Sequence, residues 1–597
     1  MTAMINQHRR TLLRGASAAS VWLAAGAGAG PLAVAATPAD PWARAQQIID
    51  RFATPRAFRD EDFAIGAFGA LPCQLIAAGA ARMTPAPQSP DCYGAIAAAI
   101  AACNQAGGGR VLIPAGTWYC AGPMVLRSNV HVHLAAGAQI YFSANPAHYA
   151  KYGDIDCGER GKLVLSRWQG NDVLNYSPMV YACNQSNIAL TGADWTSVLN
   201  GQGSVPFEQG GGCWHDWAGK NKQALQTAGK ANPLNPASLA TVAPQLSASQ
   251  RALIEGVEPD WRSDARFLPA LSEAGVPVAR RQFGIGHYLR PCMIEFIGCT
   301  DVLMQGYQVV DTPFWQHHPV NCRNVHIRNV KMDSMGPNSD GFDPESCDTV
   351  LVDGCEFNTG DDCIAIKSGK NRDTREGPTR NVVIQNCIMN SGHGGITLGS
   401  EMAAGIEHVY AQHVEFRNVH WATNALGTAI RMKTNMNRGG FLRHFYVRDV
   451  AVPNGVTTSA GFYTPLPGSA VAPKSASTGG GAVITIDCDY AVAQDAVRTR
   501  PPSVSDVHIS NLRVGNVKTA DGEFSCYQAM VLLGPVATSF NGPAGTPVLP
   551  LIDISITDCD FGTPRNGASH WFIHNVQRLA LKNVRIGGKT VSATLSA

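Results

Sequence analysis

A short motif of alternating polar and hydrophobic residues recurs along the chain. It starts with a polar residue and continues with an apolar residue at every second position, as in Asn129-Val130-His131-Val132. Further copies start at Asn187, Asp301, Asn324, Thr349, Asn381, His408, His444, Asp506, Asp553 and Arg578. A period of two turns every second side chain to one face, which is typical of a β-strand. The motif therefore predicts a series of similar strands.

The spacing of the motif indicates how these strands are arranged. Copies that start at 301, 324, 349, 381 and 408 are separated by 23, 25, 32 and 27 residues, with no helical periodicity between them. Such a period is typical of a solenoid, in which each coil packs on its neighbours. Asn and Gly at the corners supply the left-handed backbone angles that the bends need. A β-sandwich does not repeat one motif in this way, so we predict an all-β solenoid.

Other segments predict a cap and two insertions. Residues Tyr93 to Cys103, rich in Ala and Ile, predict one helix that caps the end of the solenoid. The segments near 205–285 and 451–479 lack the motif, and we expect long loops there. No linker separates a second folded unit, so residues 36–597 are predicted to form a single domain.

The first 35 residues have the pattern of a targeting segment. Arg9-Arg10 precede an apolar stretch rich in Ala and Gly, and Ala33-Val34-Ala35 supplies a small-residue cleavage pattern. We therefore predict a twin-arginine signal peptide at 1–35 and a periplasmic or secreted mature protein. No other apolar run approaches the ~18 residues of a membrane span, so no membrane anchoring is expected after cleavage.

Composition narrows the possible partners. Charged residues make up 15% of the chain and the net charge is +2, so no basic surface favours nucleic acid. The 17 cysteines include no pair or Cys/His grouping at zinc-binding spacing, and we predict no metal and no cofactor. Cys299, Cys322 and Cys347 each lie three residues before a valine of the motif, which indicates stacked buried thiols. Cys355 and Cys363 could pair.

Four polar clusters occupy matching places on successive coils. They contain Asn338 with Asp340, Asp361 with Asp362, His393, and Arg431 with Lys433. Asp362 lies 12 residues beyond Val350 and His393 lies 11 beyond Val382, so both head the same strand one coil apart. Arg431 and Lys433 are two apart on a strand and therefore share a face. We expect the outer face, because unpaired cations in the core would cost too much free energy.

These residue types together fit acid–base cleavage of a glycosidic bond. Crowding of Asp340, Asp361 and Asp362 raises the pKa of at least one carboxyl, which can then donate a proton while the others activate water. His393 would tune or orient the acid. Arg431 and Lys433 would bind a substrate carboxylate. Each cluster alone is more often a turn or a solvated strand edge, but four such coincidences on consecutive coils are improbable.

The clusters resemble, in order, the four signature motifs of polygalacturonases of glycoside hydrolase family 28. They read Asn338-Ser339-Asp340, Gly360-Asp361-Asp362, Gly392-His393-Gly394 and Arg431-Met432-Lys433. Ser339 and Met432 depart from the usual Thr and Ile. The resemblance implies a right-handed parallel β-helix (a pectin-lyase-like solenoid), acting as a monomer on polygalacturonate and cleaving its α-1,4 bonds with inversion. It also implies Asp361 as general acid, Asp340 and Asp362 as water-activating residues, His393 as support, and Arg431, Lys433 and Asn338 as substrate-binding residues.

Several alternatives remain open at this point. They are a Ca²⁺-dependent pectate lyase on the same fold, a rhamnogalacturonan hydrolase of the same family, and a non-enzymatic adhesion solenoid. We expect exo-action, because the 205–285 insertion is long enough to wall off one end of a groove. Asp343 and Lys367 could line the cleft or form a surface salt bridge, and Trp315 and the insertion tryptophans could stack on sugars or pack internally. A substrate-binding tyrosine that the family often uses is not located.

Overall fold

Coils of parallel strands form the body of the computed structural model, which describes residues 40–79, 82–218, 238–257 and 261–597. The predicted signal peptide lies outside these residues. One sheet, here called the long sheet, has 14 strands, parallel except for the last pair. They are Asp62–Ala64, Gly109–Ile113, Val130–Leu134, Ser186–Gly192, Thr300–Gln305, Arg323–Arg328, Asp348–Asp353, Thr379–Gln385, Ile406–Gln412, Phe441–Val452, Ser503–Val514, Leu551–Thr557, Val576–Ile586 and Lys589–Leu595. Every copy of the motif falls in this sheet.

The register aligns the motif from coil to coil. Val302 pairs with Val325, which pairs with Val350, and the same row continues through Val382 and Val409. The polar residue that opens each copy has a positive φ, from 51° at Asn187 to 66° at Thr349. Asn and Asp tolerate this left-handed region better than most residues, which explains why they head most copies.

A second sheet, here called the site sheet, comes in two pieces joined by bridges from Phe342 to His317 and Ile364. Its strands are Met124–Val125, Val180–Cys183, Ile294–Ile297, His317–Val320, Ile364–Ile366, Gly394–Gly399, Thr428–Lys433, Ala482–Asp487, Gln528–Leu533 and Trp571–His574. A third sheet contains Gly116–Cys120, Ala138–Phe142, Val198–Asn200, Gln308–Val310, Lys331–Ser334, Glu356–Thr359 and Ile388–Met389. A continuous apolar core lies between the sheets. This architecture confirms the predicted parallel β-helix.

Smaller groups of strands lie outside the three sheets of the solenoid. They are the hairpins Leu75–Ala77 with Met83–Pro85 and Val517–Thr519 with Gly522–Phe524, and a group of Ile155–Asp156, Lys162–Trp168, Asn171–Asn175 and Gln282–Phe283.

Five described helices lie outside the sheets. They are α1 (Pro41–Arg51), α2 (Tyr93–Gln105), α3 (Leu239–Val242), α4 (Ala248–Val257) and α5 (Asp264–Glu273). Helix α2 is the predicted cap, and the Asp91 carboxylate accepts a hydrogen bond from the Tyr93 N–H at 2.9 Å. Helix α1, which the motif analysis did not find, packs Ile48 against Val383 on the outer face of the long sheet. None of the described helices combines the length and hydrophobicity that a membrane crossing requires.

The segment 205–285, expected to be a loop, contains helices α3 to α5. Apolar residues of this segment, including Phe267 and Leu268, form a cluster of their own with Trp168 and Phe314 of the solenoid. The segment 451–479, which the structure describes throughout, has no helix and only the end of one strand. The described part of the first insertion is therefore helical and packed, because its apolar residues have partners on the solenoid.

All 17 cysteines carry free thiols. Cys299, Cys322 and Cys347 are fully buried on three successive coils, as the stacked arrangement predicted. Cys355 and Cys363 do not form a disulfide.

Candidate active site

The solenoid register brings the predicted site residues together. Asp361 and His393 each lie three residues before a strand residue of the site sheet, and those strand residues, Ile364 and Ile396, pair directly. The His393 N–H donates to the Asp361 carbonyl oxygen at 3.1 Å. Asp340 precedes the equivalent position one coil earlier, where the N–H of the following Gly341 donates to the Asp362 carbonyl oxygen at 3.0 Å. The stacking of coils thus places the three aspartates and the imidazole side by side.

One carboxylate oxygen from each of Asp340, Asp361 and Asp362 lies within 4.8 Å of the other two. Carboxyl groups of inverting glycosidases are usually about 6.5–9.5 Å apart, and those of retaining enzymes about 5–5.5 Å. These oxygens are closer than the inverting range, so the distance criterion does not support inversion. Inversion therefore stays a prediction from the resemblance.

Asp361 is the member of this cluster that the half-exposed His393 contacts. Its Oδ1 accepts hydrogen bonds from His393 Nδ1 at 2.9 Å and from the Asp362 N–H at 3.0 Å. Asn338 Nδ2 donates to Asp361 Oδ2 at 3.3 Å, and Arg290 Nη2 donates to Asn338 Oδ1 at 2.8 Å. Asn338 therefore contacts a site carboxylate, and its role in substrate binding stays a prediction. The motif analysis did not find Arg290.

The partnership with Asp361 determines the protonation of His393. The hydrogen bond that His393 Nδ1 donates to Asp361, together with the negative charge of Asp361, raises the pKa of His393 above its usual value. A raised pKa means that the pair stabilises the folded protein fully below the usual histidine pKa. This stabilisation is lost as pH rises through the raised value.

We predict that Asp361→Asn lowers the pKa of His393 towards the unperturbed value of about 6.5. The amide at position 361 can still accept a hydrogen bond but no longer carries the charge that favours the imidazolium. NMR titration of the ¹³C-histidine-labelled protein measures this change, and Asp553→Asn, an exposed site paired with Arg578, serves as control. An unchanged His393 titration in Asp361→Asn would contradict the pairing.

Asp340 lies deeper and has a different electrostatic environment. Burial, followed by the charge of Asp361, raises the pKa of Asp340 well above its usual range. Lys367 Nζ lies 4.0 Å from Asp340 Oδ2, 3.4 Å from Asp343 Oδ1 and 3.3 Å from Glu401 Oε2. In the free protein, burial therefore favours the protonated state of Asp340, in contrast to Asp362.

Lys367 and Asp343 pair beneath the cleft, and the ion pair is a buried one. The Lys367 ammonium lies 4.4 Å from the ring centroid of Trp315, which is itself buried. Trp214, Trp217 and Trp261 are buried as well. These tryptophans pack internally and do not present exposed faces for sugar stacking.

Arg431 and Lys433 lie on the face opposite Met432, which packs into the core. Their degree of exposure differs from the expectation of an open outer surface, because Arg431 is only 5% exposed and Lys433 only 7%. Lys433 Nζ lies 2.6 Å from Asp362 Oδ2, and Arg431 Nη1 lies 3.4 Å from Asp362 Oδ1. The negative charge of the fully buried Asp362 thus offsets the desolvation cost of burying both cations.

The same contacts set the ionisation of Asp362. Burial pushes its pKa upward, but the charges of Lys433 and Arg431 outweigh burial and hold the pKa below its usual value. Guanidinium and ammonium groups have five and three N–H donors respectively, so Arg431 and Lys433 keep donors for a substrate.

Tyr490 completes this side of the cleft. Its ring centroid lies 5.3 Å from Lys433 Nζ, 5.6 Å from the Arg431 guanidinium and 5.7 Å from the Arg438 guanidinium. The sequence analysis missed Tyr490 because it lies in a turn beyond the irregular 451–479 segment. The register could have located it, since Lys433 pairs with Asp487, three residues before Tyr490.

Comparisons with known proteins agree with this geometry. The family model of "Glycosyl hydrolases family 28" matches residues 286–452. A "Probable polygalacturonase" from Vitis vinifera is 34% identical over 170 residues, which cover 28% of this chain and 33% of that protein. An "Exo-poly-alpha-D-galacturonosidase" from Dickeya chrysanthemi is 26% identical over 259 residues, covering 43% of this chain and 38% of that protein. The chain thus spans about a third of the length of these curated relatives.

A solved structure extends the similarity over most of the chain. The hyperthermoactive exopolygalacturonase from Thermotoga maritima superposes with a TM-score of 0.66 and 26% identity, covering 93% of this chain and 98% of that one. The family match includes all the clusters described above. The segment matched by the family model of glycosyl hydrolases family 28, residues 286–452, is thus the one that holds the three aspartates, His393, Arg431 and Lys433.

Proposed function

We propose that this protein hydrolyses the α-1,4-galacturonosidic bonds of polygalacturonate. The observation that carries the proposal is the placement of Asp340, Asp361 and Asp362 beside two cations, Arg431 and Lys433, on one face of the site sheet. The carboxyl groups supply acid and base, and the cations supply partners for an acidic sugar. The named activities of the Dickeya and Thermotoga relatives point the same way.

The proposed reaction uses the unequal environments of the carboxyl groups. Asp361 gives its proton to the glycosidic oxygen as the bond from that oxygen to the anomeric carbon breaks. A water oxygen bonds to the anomeric carbon from the opposite side, and its proton passes to Asp340, with ionised Asp362 holding the water. The reaction leaves Asp340 protonated and Asp361 ionised, which is the state that burial of Asp340 favours. A proton shift from Asp340 to Asp361 prepares the next turnover.

The cations around the cluster make a Ca²⁺-dependent lyase the weaker alternative. Calcium takes six to eight oxygen ligands. Here Asp362 is already paired with Lys433 and Arg431, and Lys367 lies 4.0 Å from Asp340. The carboxylates are thus balanced by the protein's own charges. A rhamnogalacturonan backbone is also less suited, because its neutral rhamnose units would leave cations of the cleft without partners.

We further propose exo-action. The helical insertion packs Phe267 and Leu268 into a cluster with Trp168, Phe314 and Trp315. Since the ring centroid of Trp315, a member of this cluster, lies 4.4 Å from Lys367 Nζ, the insertion packs near the catalytic cluster, and we expect it to close one end of the cleft. A chain that enters such a cleft would bind by its end.

Product analysis on polygalacturonate tests these proposals. We expect mono- or digalacturonate from the start of the reaction, with saturated products and no effect of chelators. Proton NMR of the first product should show the β-anomer if the configuration is inverted. Ultraviolet-absorbing unsaturated products that disappear on chelation would identify a lyase. An early ladder of oligomers would contradict exo-action, and an initial α-anomer would contradict inversion.

Export is a separate proposal that rests on the sequence. Arg9-Arg10 and the Ala33-Val34-Ala35 pattern support twin-arginine export and cleavage after residue 35. We propose that the mature protein acts as a monomer in the periplasm or outside the cell, without a membrane anchor. N-terminal sequencing of the exported protein would locate the cleavage site.

A further inference from the structure

Two buried cations beside the catalytic cluster form no ion pair within 4.0 Å among the described residues. Lys370 lies in the loop after the strand Ile364–Ile366, and Arg438 lies in the loop after Thr428–Lys433. Lys370 is 7% exposed and Arg438 is 4% exposed. In the described part of the chain, neither has an acidic group within 4.0 Å, and Arg438 Nε and Nη1 are buried without a hydrogen-bond partner. Buried charges are normally paired, so this arrangement indicates an anion supplied from outside.

The acidic groups closest to this pair already have partners. Glu401 Oε2 lies 3.3 Å from Lys367 Nζ, and Asp495 Oδ2 accepts a hydrogen bond from Asn435 Nδ2 at 2.8 Å. Burial, followed by the charge of Arg438, lowers the pKa of Lys370. Against burial, the charges of Arg438 and Lys370 lower the pKa of Asp495, so this carboxylate offsets part of the repulsion between the two buried cations. A bound carboxylate would relieve this repulsion.

Tyr490 connects these cations to the cleft. Its ring centroid is 5.7 Å from the Arg438 guanidinium and 5.3 Å from Lys433 Nζ, so Arg438 adjoins the cations that pair with Asp362. Arg438 is therefore placed near the cations of the catalytic cluster, where one ligand could contact both groups.

The helical insertion ties together the loops that carry Lys370 and Arg438. Asn371 Nδ2 donates to Glu273 Oε2 at 3.0 Å and to Asn437 Oδ1 at 3.3 Å. Ser272 Oγ donates to Asp373 Oδ2 at 2.8 Å. The C-terminal end of helix α5 thus holds the loops of Lys370 and Arg438 in place. We expect this helix to limit access to the site to a chain end, in line with the proposed exo-action.

We propose that Lys370 and Arg438 bind the carboxylate of the terminal galacturonate of the substrate, and that they make a free carboxylate at the chain end a requirement. This inference rests on the proposed function and specifies how the chain end is recognised. A guanidinium can bind a carboxylate through two parallel hydrogen bonds, and the lysine adds a point charge. A methyl ester at the terminal residue would remove the charge that both cations bind.

The test compares trigalacturonate with its analogue methyl-esterified at the terminal residue, in wild type, Lys370→Gln and Arg438→Gln. We expect each substitution to raise KM for trigalacturonate about 10-fold to 100-fold, as loss of a charge-assisted hydrogen bond would, with little change in kcat. Esterification should raise the KM of the wild type by a similar factor and should raise the KM of the variants little further. Arg443→Gln, an exposed cation on the next strand of the long sheet, is the matched control and should behave as wild type. If methyl esterification raised KM by as large a factor in both variants as in the wild type, the proposal would be overturned.

Binding and stability measurements separate this inference from the proposed function. Calorimetry with digalacturonate should show weaker binding to both variants without any need for turnover. Thermal unfolding of ligand-free Arg438→Gln should occur at the same or a higher temperature than in wild type, since an unpaired buried cation is removed. A lower melting temperature with unchanged digalacturonate affinity would assign Arg438 a structural role and overturn the inference. If inorganic sulfate raised the melting temperature of the wild type as much as digalacturonate does, the assignment of the site to galacturonate would be overturned.

The two proposals fail in different ways. If the wild type does not cleave polygalacturonate but Arg438→Gln weakens the binding of digalacturonate, the hydrolase proposal is contradicted and the proposed subsite is supported. A wild type that cleaves polygalacturonate while both variants bind and react normally contradicts only the subsite.

Discussion

Asp361→Asn should lower kcat on polygalacturonate by about 100-fold to 10,000-fold, the range that a positioned general acid contributes. The substitution keeps the shape of the side chain and, with its oxygen at the Oδ1 position, the hydrogen bond from the Asp362 N–H, but it loses the one from Asn338 Nδ2 to Oδ2. It removes the proton that the leaving oxygen needs. KM should change little, because Arg431 and Lys433 still contact Asp362 and the cleft. Steady-state kinetics with reducing-sugar detection measures both constants.

Asp553→Asn is the control, because this aspartate pairs with Arg578 on the exposed face of the long sheet. It should retain wild-type kcat. A melting temperature of Asp361→Asn close to that of wild type would show that lost activity does not reflect unfolding. Full activity in Asp361→Asn would remove this residue from the reaction.

Lys433→Met should destabilise the protein by about 3–5 kcal/mol at neutral pH, the usual cost of leaving a buried charge without its partner. Asp362 is fully buried, and Lys433 Nζ at 2.6 Å is its shortest ion pair. The lowered pKa of Asp362 contributes stability above the ordinary aspartate pKa, and this is lost as pH falls through the lowered value. In the variant, the pKa of Asp362 should rise, so the acidic limb of the pH–activity profile should move to higher pH.

Denaturant unfolding at several pH values measures the effect. The stability difference between wild type and Lys433→Met should be largest at neutral pH and shrink as Asp362 becomes protonated. The double variant with Asp362→Asn should recover part of the loss, because the buried charge is removed. A difference that stays constant across pH would indicate lost packing of the lysine stem instead of a broken ion pair.

The sequence predicts the solenoid well because its order is local. Each coil repeats one motif, and the residue that opens the motif needs a left-handed backbone, which Asn and Asp provide. Counting from Val350 and Val382 then places Asp362 and His393 on neighbouring coils, as the pairing of Ile364 with Ile396 shows. The same counting separates Met432, in the core, from Arg431 and Lys433 on the other face.

Features that depend on loops and distant contacts are not predictable in this way. The burial of Arg431 and Lys433 follows from their pairing with Asp362, which lies about 70 residues earlier in the chain. Tyr490 and Arg438 lie in turns outside the motif. The helices of the 205–285 insertion form because their apolar residues reach Trp168 and Phe314, and no repeat in the sequence encodes this contact.

The most direct test of the account is a crystal structure of Asp361→Asn with an oligogalacturonate. The account predicts that the sugar lies across the site sheet, with a glycosidic oxygen within hydrogen-bond distance of the amide at position 361 and a uronate carboxylate against Arg431 and Lys433. An oligosaccharide bound on another face, without contact to these residues, would contradict it.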